Sequence, residues 1–283
     1  MTRGHKAKLD NSKIAKLEPH KLAHTFEQRW VRVDDVEYDV TNFKHPGGSV
    51  IFYMLSNTGA DATEAFKEFH MRSPKAWKML KALPQRPATK PRSADPDAPM
   101  LEDFARWRAE LEKDGFFEPS KLHLAYRCLE LCATFALGTY LMYIGQPLLA
   151  SVVYGAFFGA RCGWVQHEGG HNSLTGSIWW DKRIQAATCG FGLGTSGDMW
   201  NQMHNKHHAT PQKLGADPDL QTLPLIAFHK IIGKKGNKLW LKLQAPLFFT
   251  GPICTLVAWG WQFVQHPNHA LRVKNFMELF WMG

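Results

Sequence analysis

Residues 42–48 read NFKHPGG, and this stretch decides the first half of the fold. His45 before Pro-Gly-Gly predicts a tight turn, because proline fixes its own φ angle and glycine adopts backbone angles that other residues avoid. Such a turn lets the backbone approach a flat, bulky group. A second histidine, His70, follows the helical pattern of residues 62–69. Two imidazoles on opposite faces of a haem leave the iron no open position, so this pair predicts electron transfer.

Around this turn, residues 18–83 are predicted to form a compact domain of mixed α and β structure. Alternating apolar residues at 31–40 predict two strands, and Asp34-Asp35 predicts the turn between them. Residues 84–99 hold five prolines among charged residues, which predicts an extended linker. Residues 100–283 then form a second domain, which begins with an amphipathic helix at 101–113. That helix packs on its own domain or lies on a membrane surface.

Long uncharged stretches in the second domain predict membrane-spanning helices. Residues 131–160 contain no charged side chain and are too long for one crossing. Gly145-Gln146-Pro147 interrupts the stretch, because proline starts a helix well but breaks one from inside. We therefore expect a hairpin of two spans at about 124–144 and 147–166, and a third span at about 243–264. Residues from 266 onward are then expected on the opposite side of the membrane.

The charge of the chain narrows the possible partners. The formal net charge of +9 fits nucleic acid, an anionic membrane surface or an acidic electron-transfer partner. The apolar spans favour the lipid membrane and argue against nucleic acid. Residues 1–25 lack the apolar core of a secretory signal, so the N-terminal domain is expected in the cytosol. The five cysteines form no CxxC pair, which argues against a disulfide framework.

Two histidine clusters follow the predicted hairpin. Residues 167–171 read HEGGH, and residues 204–208 read HNKHH. Histidines four apart share one helix face, and imidazoles without cysteine suit iron, copper or zinc. The first cluster also satisfies the HExxH motif of zinc proteases, with Glu168 as general base. That interpretation leaves the second cluster and the haem pair without a purpose. A further alternative is a set of structural histidines at a membrane surface.

Several segments resemble known families. Residues 30–31, 38–40, 45–48 and 61–63 resemble the cytochrome b5 family, and this resemblance implies that His45 and His70 are the axial ligands of haem b. The segments that resemble the front-end fatty-acyl desaturases are residues 161–171, 204–211, 217–220 and 222–225.

Together the resemblances imply an α+β cytochrome b5-like domain followed by an all-α multi-pass membrane histidine-box desaturase domain. The desaturase domain is expected to be incomplete, because the family's third box, Q-x-x-H-H, is missing from this sequence. Gln265-His266 and His269 have the wrong spacing for that box. We therefore expect a fragment that binds haem but does not desaturate.

The desaturase resemblance also implies cofactors and partners. It implies two non-haem iron ions with the ligands His167, His171, His204, His207 and His208. It implies NADH-cytochrome b5 reductase as the electron source, O2 as oxidant, and an acyl-CoA or acyl-phospholipid substrate. The expected location is the endoplasmic reticulum membrane, with the haem domain and both histidine boxes facing the cytosol.

The expected product carries a new cis double bond towards the carboxyl end of a polyunsaturated acyl chain. Attack at the fifth carbon (Δ5) is favoured and at the sixth (Δ6) comes next, because the segments RCGW, HEGGH and HNKHHATPQK resemble microalgal and thraustochytrid enzymes of the Δ5 type. A sphingolipid desaturase, a fatty-acid hydroxylase and a membrane-tethered b5-type electron carrier stay open as alternatives.

Overall fold

The computed structural model describes most of the chain, namely residues 26–220, 226–234, 236, 238–249 and 260–283. The chain forms two compact units. The first unit contains residues 1–98 and 202–241, and the second contains residues 99–201 and 242–283.

A four-stranded sheet organises the start of the first unit. Its strands, in the order β3-β1-β2-β4, are β1 (Trp30–Val33), β2 (Val36–Asp39), β3 (Ala60–Asp61) and β4 (Gln85–Pro87). β1 and β2 pair antiparallel, and β3 lies parallel to β1. Asp34 has a φ of 55° in the hairpin turn, a left-handed conformation that aspartate tolerates better than most side chains. The two strands and the turn predicted from the sequence are confirmed.

Three helical segments cover one face of this sheet. They are a 3-10 segment at Gly48–Met54, α1 (Thr63–Phe69) and α2 (Pro74–Lys81). α2 begins after Ser73, whose hydroxyl accepts the amide hydrogen of Ala76 and so caps the helix. The buried residues of this small core are Val31, Val33, Tyr38, Val40, Leu55, Ala62 and Leu80.

The segment predicted as an extended linker differs from that expectation at its start. β4 pairs with β2, and beyond it Thr89 donates two hydrogen bonds to Oε1 of Glu37, from its amide at 3.0 Å and its hydroxyl at 2.7 Å. Arg32 donates to the carbonyl of Lys90 at 2.7 Å. Only 1% of Glu37 and 7% of Arg32 is exposed. Buried charges need partners, which explains why the segment folds onto the sheet.

The second unit is helical. Its first helices are α3 (Ala98–Lys113), α4 (Lys121–Tyr143), α5 (Pro147–Gly170), α6 (Ile178–Leu193) and α7 (Gly197–Ala209). The part of α7 from residue 202 onward belongs to the first unit. α5 contains a π-helical stretch at Val153–Gly159. Between α4 and α5, Gly145 adopts a left-handed conformation with a φ of 74°. Pro147 then starts α5. The break predicted at this point is confirmed.

α4 and α5 form the antiparallel hairpin that the sequence predicts. Glu130, in the first half of α4, accepts a hydrogen bond from Arg161, in the second half of α5, at 2.9 Å. At the closed end of the hairpin, the hydroxyls of Thr139 and Tyr154 lie 2.8 Å apart. The chain therefore returns towards the end from which it entered.

One of the two helices of this hairpin has the length and composition of a membrane span. Within the described part of the chain, α5 is long and apolar enough to span a membrane. α4 does not combine the length and the apolar composition of a membrane span, and it carries Arg127 and Glu130 in its first half. The third predicted span, at about 243–264, includes residues 250–259, which lie outside the described residues.

Short helices complete the chain. They are α8 (Lys230–Gly233), α9 (Lys238–Lys242), α10 (Gln244–Phe249), α11 (His266–Arg272) and α12 (Phe276–Met282). α12 packs closely on α6, because a Cβ placed on Gly190 would lie 2.4 Å from the Cβ of Trp281.

The expectation that residues from 266 onward lie across the membrane from the histidine boxes is wrong. Nδ1 of His266 accepts the amide hydrogen of Ser196 at 2.9 Å, and Nε2 of His269 lies 2.8 Å from Asp198. Trp200, less than one turn further along α7, contacts His167 of the first box. His266 and His269 of α11 therefore bond to Ser196, just before α7, and to Asp198, in the first turn of α7. This segment lies at the same end of the unit as the first box.

Candidate functional site

His45 and His70 face each other in the first unit. Their ring centres are 6.0 Å apart, and their planes meet at 86°. A metal held between two imidazoles at about 2 Å from each nitrogen separates the ring centres by roughly 6 Å. The spacing therefore fits an iron between the two rings.

Local contacts orient the two rings. Nδ1 of His70 lies 2.9 Å from the carbonyl oxygen of Phe66, which only accepts, so Nδ1 carries the proton and the lone pair lies on Nε2. Nδ1 of His45 is buried and has no hydrogen-bond partner among the described residues. Gly47 and Gly48 make the turn possible: a Cβ on Gly47 would lie 2.8 Å from Cε1 of His45, and Gly48 has a φ of 75°.

The surroundings of His45 also suit a large apolar ligand. A cleft of about 440 Å³ lies beside its ring, within the size range of small-molecule sites. The apolar residues that line the cleft are Val40, Phe43, Ile51, Phe52 and Leu55. Burial lowers the pKa of His45 and that of His70, so both imidazoles are neutral at pH 7, as metal ligation requires. These residues fit a haem.

His167 and His171, the first histidine box, lie one turn apart where α5 ends. Their ring centres are 4.7 Å apart. The ring of Trp200 contacts both, with centre distances of 5.4 Å to His167 and 6.3 Å to His171. α7 thus contributes an aromatic wall to the first box.

The two glycines of the first box permit close helix packing. A Cβ on Gly169 would lie 2.9 Å from the carbonyl oxygen of Asp181, and one on Gly170 would lie 2.4 Å from Cζ3 of Trp200. Glycine costs about 1 kcal/mol in a helix interior relative to alanine. Here that cost is offset, because only glycine leaves room for α6 and Trp200.

Glu168, between the two histidines, is held by neighbours. Both of its carboxylate oxygens lie within 3.1 Å of Nε2 of His123 on α4, and Trp164 donates to it from its indole nitrogen. In a zinc protease this carboxylate would activate the attacking water. Its engagement by His123 and Trp164 argues against that use.

The second box brings two of its histidines close together. Nε2 of His204 lies 3.0 Å from Nε2 of His208. Two ligands at about 2 Å from one metal and at right angles are separated by roughly 3 Å. The pair therefore has the spacing of adjacent ligands on a single metal ion.

His207, the third histidine of this box, is oriented by Asp217. Its Nδ1 lies 3.0 Å from both carboxylate oxygens, so Nδ1 carries the proton that is donated. Asp217 has no exposed surface, and it also accepts the amide hydrogens of Gln212 and Asp219 at 2.8 and 2.9 Å. Burial raises the pKa of Asp217, but these hydrogen bonds outweigh it and the pKa lies below its ordinary value. Such carboxylate–histidine pairs fix the ring of a metal ligand.

Sequence patterns assign no role to Asp217 beyond a family resemblance, and they assign none to Glu278. Glu278 is only 3% exposed, and its Oε1 accepts the amide hydrogen of Asp198 at 2.9 Å. Its Oε2 accepts the hydroxyl hydrogen of Ser196. A carboxylate at this point caps the start of α7, the helix that carries the second box. Glu278 is distant from the boxes in sequence, so no local signal could have revealed this contact.

Comparison with known proteins accounts for both parts of the chain. Residues 13–85 match the cytochrome b5-like haem/steroid binding domain, and residues 144–281 match the fatty acid desaturase family. The chain belongs to the cytochrome b5-fused fatty acid desaturases. His45 and His70 lie in the first matched region, and both histidine boxes lie in the second.

Named relatives of this chain come from several organisms. It is 49% identical to an acyl-lipid (8-3)-desaturase of Rebecca salina over 89% of this chain, and 44% identical to an acyl-lipid (8-3)-desaturase of Thraustochytrium sp over 90%. A Delta(8)-fatty-acid desaturase of Euglena gracilis is 31% identical over 80% of the chain. The matches cover 59%, 61% and 53% of these relatives, respectively. No solved structure matches the chain.

Proposed function

We propose that the chain is part of a front-end acyl desaturase, an enzyme that uses O2 to introduce a cis double bond towards the carboxyl end of a polyunsaturated acyl chain. One observation carries the proposal: a single chain joins the facing pair His45 and His70 to two clusters of histidines. A haem with both axial positions filled carries electrons, and clustered imidazoles hold redox metals. An electron carrier fused to such a metal site suits oxygen chemistry.

In this proposal each domain has its own role. Residues 18–83 bind haem b through His45 and His70, residues 84–99 connect the domains, and residues 100–283 belong to the desaturase domain. The 6.0 Å ring spacing and the cleft beside His45 support the haem ligands. In this proposal the strand β4 and Thr89 stay with the haem domain, since they pair with its sheet.

The ligands proposed for two non-haem iron ions are His167, His171, His204, His207 and His208. When bound, haem b supplies single electrons and the irons supply the oxygen-dependent removal of hydrogen from an unactivated chain. The chain's own residues hold and orient these groups. Asp217 keeps the proton of His207 on Nδ1, and Trp200 packs against His167 and His171. No acid or base side chain is needed for hydrogen removal.

The substrate proposal is a polyunsaturated acyl group carried by CoA or a phospholipid. The fifth carbon is the proposed position of the new bond and the sixth is the next choice. This choice rests on the segments RCGW, HEGGH and HNKHHATPQK, whereas the names of the relatives contain (8-3) and Delta(8). NADH-cytochrome b5 reductase is the proposed electron source.

We also propose an endoplasmic reticulum location with several membrane crossings and with the haem domain and both boxes on the cytosolic side. The apolar length of α5 and the hairpin that it forms with α4 support this arrangement. The same side would then give the boxes access to a cytosolic reductase.

Metal and haem content of the purified chain tests the cofactor part of the proposal. A reduced-minus-oxidised spectrum should show a haem that disappears in His45→Ala and His70→Ala. Non-haem iron should fall in His204→Ala and His208→Ala. His229→Ala is the matched control, because this histidine caps the short helix α8 outside both sites, so it should change neither content.

Other outcomes would favour the alternatives. Haem without non-haem iron would favour a b5-type electron carrier, and zinc in place of iron would favour the protease. Expression in a host supplied with polyunsaturated precursors tests the activity itself. These 283 residues contain no Q-x-x-H-H box, so they should form no new double bond by themselves. A new double bond in the fatty acids, located by mass spectrometry, would contradict that expectation and give the position of attack. A new bond in the sphingoid bases would point to the sphingolipid enzyme instead.

A further inference from the structure

A long part of the sequence contains basic residues and no acidic ones. Neither Asp nor Glu occurs between Asp219 and Glu278. Within this part, residues 226–241, here called the basic segment, contain four lysines, which are Lys230, Lys234, Lys235 and Lys238. Only Lys242 separates the segment from the uncharged stretch 243–264, so its charge lies next to a predicted membrane region.

The described residues of the basic segment expose apolar side chains as well as charge. Phe228 is 61% exposed, Ile231 is 47% exposed and Leu239 is 70% exposed. Lys230 and Lys234 are exposed too, at either end of the short helix α8. Nδ1 of His229 accepts the amide hydrogen of Ile231 at 3.1 Å, which fixes the start of that helix.

This combination distinguishes the basic segment from the other exposed amphipathic element. α3 exposes Phe104 and Trp107, but it carries the acidic residues Glu102, Asp103, Glu110 and Glu112. Its three basic residues, Arg106, Arg108 and Lys113, are outnumbered by these acidic ones, so α3 has no excess positive charge to attract anionic lipid. In the basic segment, no negative side chain opposes them, and the neighbouring apolar side chains suit the boundary between headgroups and acyl chains.

We propose that the basic segment binds the headgroups of anionic phospholipids at a membrane surface. Lys230 and Lys234 pair with headgroup phosphates or carboxylates, while Phe228, Ile231 and Leu239 enter the headgroup region. An acidic protein partner would use the same lysines but would not require this set of exposed apolar side chains. The inference concerns lipid binding alone, so it stands whether or not the chain desaturates.

Hydrogen exchange of the full chain in lipid nanodiscs tests the inference. One set of nanodiscs contains phosphatidylcholine alone, and the other contains phosphatidylcholine with phosphatidylserine. Amides of the basic segment should exchange more slowly with phosphatidylserine present, and high salt should remove the difference because it screens exposed charges. Equal exchange in the two lipids would overturn the proposal.

Paired substitutions test whether these lysines carry the lipid binding. Lys230→Gln with Lys234→Gln should weaken the affinity for phosphatidylserine-containing nanodiscs by roughly 25-fold and so reduce the added protection, since each lysine near an anionic surface is worth about a fivefold change in affinity. Lys75→Gln with Lys78→Gln is the matched control, because these lysines are exposed on α2 of the haem domain. An unchanged haem spectrum together with an unchanged thermal-unfolding midpoint shows that both variants fold.

Two results would contradict lipid binding by these lysines. One is phosphatidylserine-dependent protection that survives in Lys230→Gln/Lys234→Gln. The other is protection of the basic segment by an added acidic polypeptide but not by phosphatidylserine, which would identify a protein-binding surface.

Discussion

The carboxylate of Glu278 accepts the backbone amide hydrogen of Asp198 at 2.9 Å, across 80 residues of sequence. The same carboxylate receives the hydroxyl of Ser196. A residue near the end of the described chain therefore closes the start of α7, the helix that leads to the second histidine box.

Replacing Glu278 by alanine should lower the free energy of unfolding by about 2 kcal/mol. The change leaves a helix-start amide and a buried hydroxyl without their acceptor, and each such loss typically costs about 1 kcal/mol or more. Glu278→Gln keeps one acceptor oxygen and should lose less. Thermal unfolding in detergent measures both. Glu102→Ala, at an exposed position on α3, is the control, and an equal loss there would contradict the capping role.

His266 should make stability depend on pH. Burial lowers the pKa of His266 to about 4, and its Nδ1 accepts a hydrogen bond that requires the neutral ring. Unfolded histidine titrates near pH 6.5. The unfolded state therefore binds more protons between about pH 6.5 and pH 4, so stability is complete above pH 6.5 and falls as the pH drops through this window.

Unfolding midpoints measured from pH 7.5 to pH 4.5 check the His266 prediction. His266→Asn offers an amide oxygen in place of Nδ1 and does not titrate, so its midpoint should change less with pH than that of the parent. Identical pH profiles for the two proteins would show that His266 is not responsible.

Asp217→Asn should weaken metal binding at the second box. Asparagine has lost the charge that orients His207, and loss of such a partner typically costs 10- to 100-fold in metal affinity. Titration with Co²⁺, followed by its visible absorption bands, measures the affinity. Asp219→Asn is the matched control because that side chain is 51% exposed and lies further from Nδ1 of His207, at 3.3 Å. Equal weakening by both substitutions would argue against orientation by Asp217.

Two glycines of α5 should respond oppositely to alanine. Gly170→Ala places a methyl group 2.4 Å from Trp200, and forcing extra atoms into a packed site typically costs 1–3 kcal/mol. Gly163→Ala on the same helix meets no atom within 4 Å, and alanine is the better helix former, so this variant should be neutral or more stable. Thermal unfolding separates the two. A neutral Gly170→Ala would mean that Trp200 moves aside freely.

Local patterns in the sequence predicted the parts of the fold that depend on neighbouring residues. The strands on either side of Asp34, the break before Pro147 and the hairpin of α4 and α5 follow from periodicity, turn residues and length. The histidines of the haem pair and of the first box also lie near each other as expected from their motifs.

Contacts between distant residues could not be predicted in this way. The uncharged stretch before His266 predicts that the segment from His266 to Glu278 lies across the membrane. In the structure its polar side chains reach Ser196 and Asp198. The role of Asp217 was missed for a similar reason, since an aspartate in a loop has no pattern until its partner, His207, is known.

The packing of Thr89 and Arg92 on the sheet determines where the haem domain can be separated from the rest. A piece that ended at residue 83 would keep Glu37 and Arg32 but remove Thr89 and the carbonyl of Lys90, with which they pair. Arg92 adds an ion pair with Glu64 at 2.5 Å. A fusion of the haem domain to another protein therefore requires a junction after Arg92, even though the proline-rich composition of residues 84–99 predicts a domain boundary several residues earlier.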